Sequence, residues 1–133
     1  MKRILLLLAI AFLQSNVYSQ QPTFKELRGA WDMADTSNGK MTYQFTDSVN
    51  MLLIYHSTAD IIMKSTYTIE LINNLNRLYV VTENDGAKMK SAYRMKLLDA
   101  NTFKLQIDLA YWPLDWTEEK GGNTAVFKRR KEK

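Results

Sequence analysis

Lys40-Met41-Thr42-Tyr43-Gln44-Phe45-Thr46 alternates apolar and polar side chains without a break. Met41, Tyr43 and Phe45 fall on one face of an extended chain, and Thr42, Gln44 and Thr46 on the other. Period two over this length is the signature of a strand with one face on a core. The same period governs most of the chain on either side.

Toward the N-terminus, Thr36-Ser37-Asn38-Gly39 reads as a turn, with Asn-Gly supplying the positive φ that a hairpin needs. Before it lies strand one, about 29 to 34. Earlier still, Phe24-Lys25-Glu26-Leu27 fits one helical turn placed as a plug at the end of a barrel. Toward the C-terminus, the pattern gives strand three over 49–56, apolar on both faces, and strand four over 61–72. There Met63, Ser65, Tyr67, Ile69 and Leu71 share a face. Strand five, 75–83, leaves its inward set open between Leu78 with Val80 and Tyr79 with Val81. Asn84-Asp85-Gly86 is the strongest hairpin signal. Strand six, 89–98, sets Tyr93, Met95 and Leu97 opposite Arg94 and Lys96. Strand seven, 102–109, sets Phe103, Leu105, Ile107 and Leu109 opposite Lys104, Gln106 and Asp108. After a longer loop, 110–122, strand eight covers 123–129.

Eight short strands with short turns and no helix beyond one turn predict an all-β antiparallel up-and-down meander. Closure into a barrel removes the exposed edges. A two-sheet β-sandwich gives a similar pattern and stays open as the alternative.

The first residues belong to another element. Met1-Lys2-Arg3 precedes the apolar run Ile4 to Leu13, and Val17 and Ser19 are small enough for positions −3 and −1 of a signal-peptidase cut. The run is about half the ~20 residues that span a bilayer, so 1–19 is expected to be a secretory signal and 20–133 one small domain. Loss of Lys2 and Arg3 lowers the formal charge from +4 to +2. That charge is too small and too scattered to argue for nucleic acid. The clustered part, Lys128-Arg129-Arg130-Lys131, suits a solvated tail. With no cysteine, the chain has no disulfide and no thiolate metal site, and it must be held by its core alone. A secreted or periplasmic protein, without a membrane span after cleavage, is the expectation.

Gly29-x-Trp31 at the head of strand one, the eight meander strands and the closing Phe127-Lys128-Arg129 together resemble the lipocalin-like (calycin) barrels. The likeness is greatest to the short secreted bacterial members. It covers nearly all of 20–133 as a pattern, while its sharp positions are few. The resemblance implies that Trp31 packs at the closed end under a basic residue of the last strand. Arg129 is assigned that role. Arg130 is as near in sequence but has the opposite parity. A guanidinium over an indole gains roughly 0.5–2 kcal/mol, and Gly29 permits close backbone approach. These three residues are structural. The chain is shorter than most true lipocalins, which implies a smaller interior.

Tyr43, Tyr55, Tyr67 and Tyr79 recur every twelve residues, and Tyr93 follows fourteen later. Tyr43, Tyr55, Tyr67 and Tyr93, with Met95 and Phe103, are the expected inward ligand-binding set. Eight strands enclose room for packed side chains or for one small ligand, and a tyrosine–methionine wall suits an apolar or aromatic molecule. Simple core filling fits the same residues. Tyr111-Trp112-Pro113-Leu114-Asp115-Trp116 is unusually aromatic for a loop. Trp112 and Trp116 are expected as a lid or a partner surface, and a plug folded into the barrel is the competing packing.

His56 stands alone as histidine and sits near Tyr55 and Asp60. One histidine without cysteine does not build a metal site, and a strand-end position suits solvent better than haem. The chain has no Gly-x-Ser-x-Gly, P-loop or dinucleotide fingerprint, and Asp47, Asp60, Asp85 and Asp99 read as turn residues. The expectation is a binding module with no catalysis, cofactor or metal, taking a small hydrophobic or aromatic ligand. The alternative is a protein-interaction module, an inhibitor or envelope assembly factor, acting through 111–116.

Overall fold

The computed structural model describes residues 21–36, 39–107, 115–120 and 122–131. The expected signal segment therefore lies outside the described residues. After helix α1 (Phe24–Leu27) come eight strands. They are β1 (Gly29–Met33), β2 (Lys40–Phe45), β3 (Asn50–His56), β4 (Ile61–Ile72), β5 (Leu75–Asn84), β6 (Ala87–Asp99), β7 (Thr102–Ile107) and β8 (Thr124–Arg129). Each pairs antiparallel with the next, and β8 returns to β1 in the register Trp31–Arg129, Asp32–Lys128, Met33–Phe127. That last ladder closes the barrel and excludes the sandwich. Among the described residues no helix is long and apolar enough to cross a membrane.

The turns follow from backbone chemistry. Asn73 and Asn74 both hold positive φ (52° and 62°), as do Asp85 (49°) and Gly86 (79°). Two successive positive-φ residues form the hairpin turn whose twist matches the strands it joins.

Register decides the face of every residue. Tyr67 pairs with Val80 and Ile69 with Leu78, so β5 turns Leu78 and Val80 inward. Both are buried, while Tyr79 and Val81 face outward and stay part-exposed. The β5 ambiguity is resolved in favour of the aliphatic pair.

The interior is packed toward the end where β1 begins. Trp31, Phe103, Phe127, Phe45, Met51, Leu78 and Met95 are all buried in the core, with Tyr43 above them. Phe103 stacks on Phe127 with centroids 5.0 Å apart and tilts against Trp31 at 4.7 Å. Tyr43 meets Phe127 at 4.5 Å. Such ring pairs add about 0.5–1.5 kcal/mol each beyond area burial. Helix α1 closes this end, as expected of a plug. Leu27 is fully buried, Phe24 packs on the core, and the Leu27 carbonyl accepts the Trp31 indole N–H at 2.8 Å. The Glu26 carboxylate accepts the Thr23 backbone N–H ahead of the helix. That bond satisfies a donor which a one-turn helix leaves without an internal partner.

Candidate functional site

Arg129 lies over Trp31, its guanidinium carbon 4.2 Å from the ring centroid. Its remaining donors reach the carbonyls of Glu26, Arg28 and Ala100, so one side chain ties α1 and the β6–β7 turn to the barrel floor. Gly29 holds φ +105°, and a Cβ there would sit 3.7 Å from the Arg129 guanidinium. Arg130 points the other way. It donates to Asp32 at 2.7 and 3.0 Å, and Asp32 also accepts from the Thr42 hydroxyl at 2.6 Å.

The expected ligand-binding residues do not form one ring. Tyr43 is buried at mid-barrel. Burial first, and then the charge and hydrogen bond of the facing Tyr93 phenol, push the Tyr43 hydroxyl well above its ordinary titration range. Tyr67 lies nearer the closed end, where its hydroxyl donates to the Asp47 carbonyl at 2.7 Å. Burial and the Asp47 carboxylate raise it too. Met95 and Phe103 are core. Tyr55 stands at the opposite rim, 36% exposed. Its ring lies against Gly39, where a Cβ would come within 2.8 Å of the phenol oxygen.

Trp112 lies outside the described residues. Trp116 is on the outer wall, with the Lys96 ammonium 4.5 Å from its ring centroid. Residues 115–117 bond to the outside of β6 and β7, and the rest of the expected aromatic loop, 111–114, lies outside the described residues. Gln106 anchors 115–117. Its amide donates to the Thr117 carbonyl at 2.9 Å and accepts the Thr117 N–H at 3.1 Å. Beside it, Arg94 donates to the carbonyls of Asp115 (2.7 Å) and Ile107 (3.2 Å). Arg94 and Gln106 are fully buried although both face outward.

What the barrel does present is an apolar open end. On the inward parity, Ile61 is 53% exposed, Ile107 49% and Met89 62%. Met33, Met41, Met63 and Tyr93 are half-buried below them. Met41 pairs with Tyr55, and Tyr55 with Ile61, so these side chains adjoin around the rim. Sequence parity marks Met41, Met63 and Ile107 as inward. Ile61 escapes notice because it is the first residue of its strand.

His56 is not free for haem. Its Nε2 lies 2.7 Å from the Thr42 hydroxyl and its Nδ1 3.3 Å from Asp60. The order Thr42–His56–Asp60 imitates a nucleophile, base and orienting carboxylate. Thr42 is fully buried, however, and its proton goes to Asp32 rather than to His56. Among the described residues no group of three or more His, Cys, Asp or Glu is placed to hold a metal.

No family model matches the chain, and no curated protein matches it. Among solved structures, the crystal structure of a DUF4909 family protein from Staphylococcus aureus subsp. aureus Mu50 is similar. The likeness covers 78% of this chain and 97% of that one, with 12% sequence identity and a TM-score of 0.49.

Proposed function

We propose that the protein is an exported, lipocalin-like binding module that takes a small hydrophobic or aromatic ligand at the open end of its barrel. One observation carries this reading. The aromatic stack is packed at the α1 end, where Leu71 of β4 stays exposed on the inward parity, while Tyr55, Ile61, Met89 and Ile107 gather exposed at the other end. Exposed apolar surface gathered at one end of the barrel favours an apolar occupant. The closed floor of Gly29, Trp31 and Arg129 supports the lipocalin-like part of the reading, and the apolar run Ile4 to Leu13 behind Lys2-Arg3 supports export. The part-exposed methionines suit an adaptable apolar wall. The buried, engaged Thr42 supports binding without catalysis.

Methyl-labelled methionine NMR tests it, with a fatty acid, a flavonoid and haem added in turn. Binding is expected to shift the Met33, Met41 and Met63 methyl resonances and to leave Met51 and Met95, buried in the core, in place. An unchanged spectrum across all three additions would refute the reading.

A further inference from the structure

The end of the barrel away from the apolar rim carries a second feature. A cleft of about 840 Å3, open to solvent, runs along the outside of the barrel floor. Its base is Gly29 and Ala30, the two smallest side chains of β1. Arg28, Lys128 and Lys131 line it, together with Gln44, Asn101 and Thr102. The lining also includes Arg129 and Arg130, and among the described residues no carboxylate belongs to it.

These cations differ in what already satisfies them. Arg129 is committed to Trp31 and three backbone carbonyls. Arg130 is neutralised by Asp32. Arg28, Lys128 and Lys131 make no side-chain hydrogen bond or ion pair with the described residues, and Arg28 and Lys128 are exposed. Three positive charges unmatched among the described residues thus share one hollow with three hydrogen-bonding side chains. Like charges lining one hollow repel, and a multiply charged anion among them relieves that repulsion. Arginine's planar fork and the lysine ammonium groups both fit tetrahedral oxyanions. The size of the hollow is that of a small-molecule site.

We propose that this cleft binds a phosphorylated ligand through at least two phosphate charges, with Arg28, Lys128 and Lys131 as the recognising cations. The site is separate from the apolar end of the barrel and independent of what binds there. A soluble molecule with two phosphates and a pair of neighbouring lipid headgroups, each a singly charged phosphodiester, offer the same chemistry.

Titration calorimetry with inorganic pyrophosphate, and co-sedimentation with phosphatidylglycerol/phosphatidylcholine vesicles, test the cleft and separate the two sources. Saturable binding of either probe is expected, weakened roughly tenfold or more by Arg28→Gln or by Lys128→Gln, since each removes a charge-assisted contact. The double variant Lys88→Gln/Lys90→Gln removes two exposed charges from the β5–β6 hairpin at the other end and is expected to bind as the parent does. Pyrophosphate binding identifies a soluble ligand, and vesicle binding alone a headgroup. The proposal is overturned if neither probe binds, or if the hairpin variant loses as much as the cleft variants. Preference for a single-stranded oligonucleotide over both probes also overturns it. Circular dichroism melts of each variant separate lost binding from lost folding.

Discussion

Arg129 and Arg130 are chemically identical neighbours with unrelated jobs, and strand parity alone separates them. Arg129 shares the inward parity of Phe127 and lands on Trp31; Arg130 is one step on and lands on Asp32. The Asp32 carboxyl is held below its ordinary value of 3.8, chiefly by hydrogen bonding to Arg130, with Thr42 assisting and burial opposing. A depressed folded-state value means stability that is present above the unfolded value and lost as pH falls through the folded one. Asp32→Asn is therefore expected to lower stability by at most about 1 kcal/mol at pH 7, because the pair is part-exposed. That gap should close below about pH 4, where the unfolded carboxyl protonates. Urea melts of both proteins from pH 7 to pH 3 check this, and a gap constant with pH would contradict it.

Among the elements, the strands were the most legible from sequence. Clean alternation in 40–46 and 61–72 fixes their faces, and paired asparagines or Asp-Gly mark the turns. The loop after β7 was not legible. Tyr111, Trp112 and Trp116 draw attention as an aromatic cluster, of which only Trp116 is among the described residues, yet the hydrogen bonds that hold 115–117 to the wall come from Gln106 and Arg94, polar residues on an outward parity. Alternation assigns such residues to solvent. Only the tertiary packing of 115–120 over them makes them buried, and a two-residue period does not encode what lies on top of a strand. Gln106→Leu is expected to free this segment, since Thr117 then loses both its amide partners. The stability cost should be about 1–3 kcal/mol, the cost of leaving buried polar groups unmatched. Limited proteolysis should nick the chain within 108–120 faster than in the parent. Equal nicking rates would show that the segment is held by something other than Gln106.

At the scale of the whole molecule, β8 pairs back onto β1 and closes the sheet, and the two ends differ in how they are filled. The α1 end holds the aromatic stack and buries it fully. At the other end the same inward parity continues through Tyr55, Ile61 and Ile107 without full burial. Parity is readable in a sequence; depth along the barrel axis is not, because it depends on strand stagger. This is why the tyrosine series suggested one ring while the folded barrel spreads Tyr67, Tyr43 with Tyr93, and Tyr55 over its height. The polarity predicts a separation of stability from binding. Phe103→Ala removes a fully buried ring from the stack and is expected to cost about 3–5 kcal/mol. Ile61→Ala, on the same parity but half exposed, is expected to change stability by less than about 0.5 kcal/mol. For a ligand held at the open end the order reverses: Ile61→Ala weakens it, and Phe103→Ala leaves its affinity unchanged wherever the barrel is still folded. Denaturant melts alongside ligand titrations of the two variants measure both quantities. If Ile61→Ala destabilised the fold as much as Phe103→Ala, the rim would be core like the rest of the interior. No surface at that end would then be left for an apolar ligand.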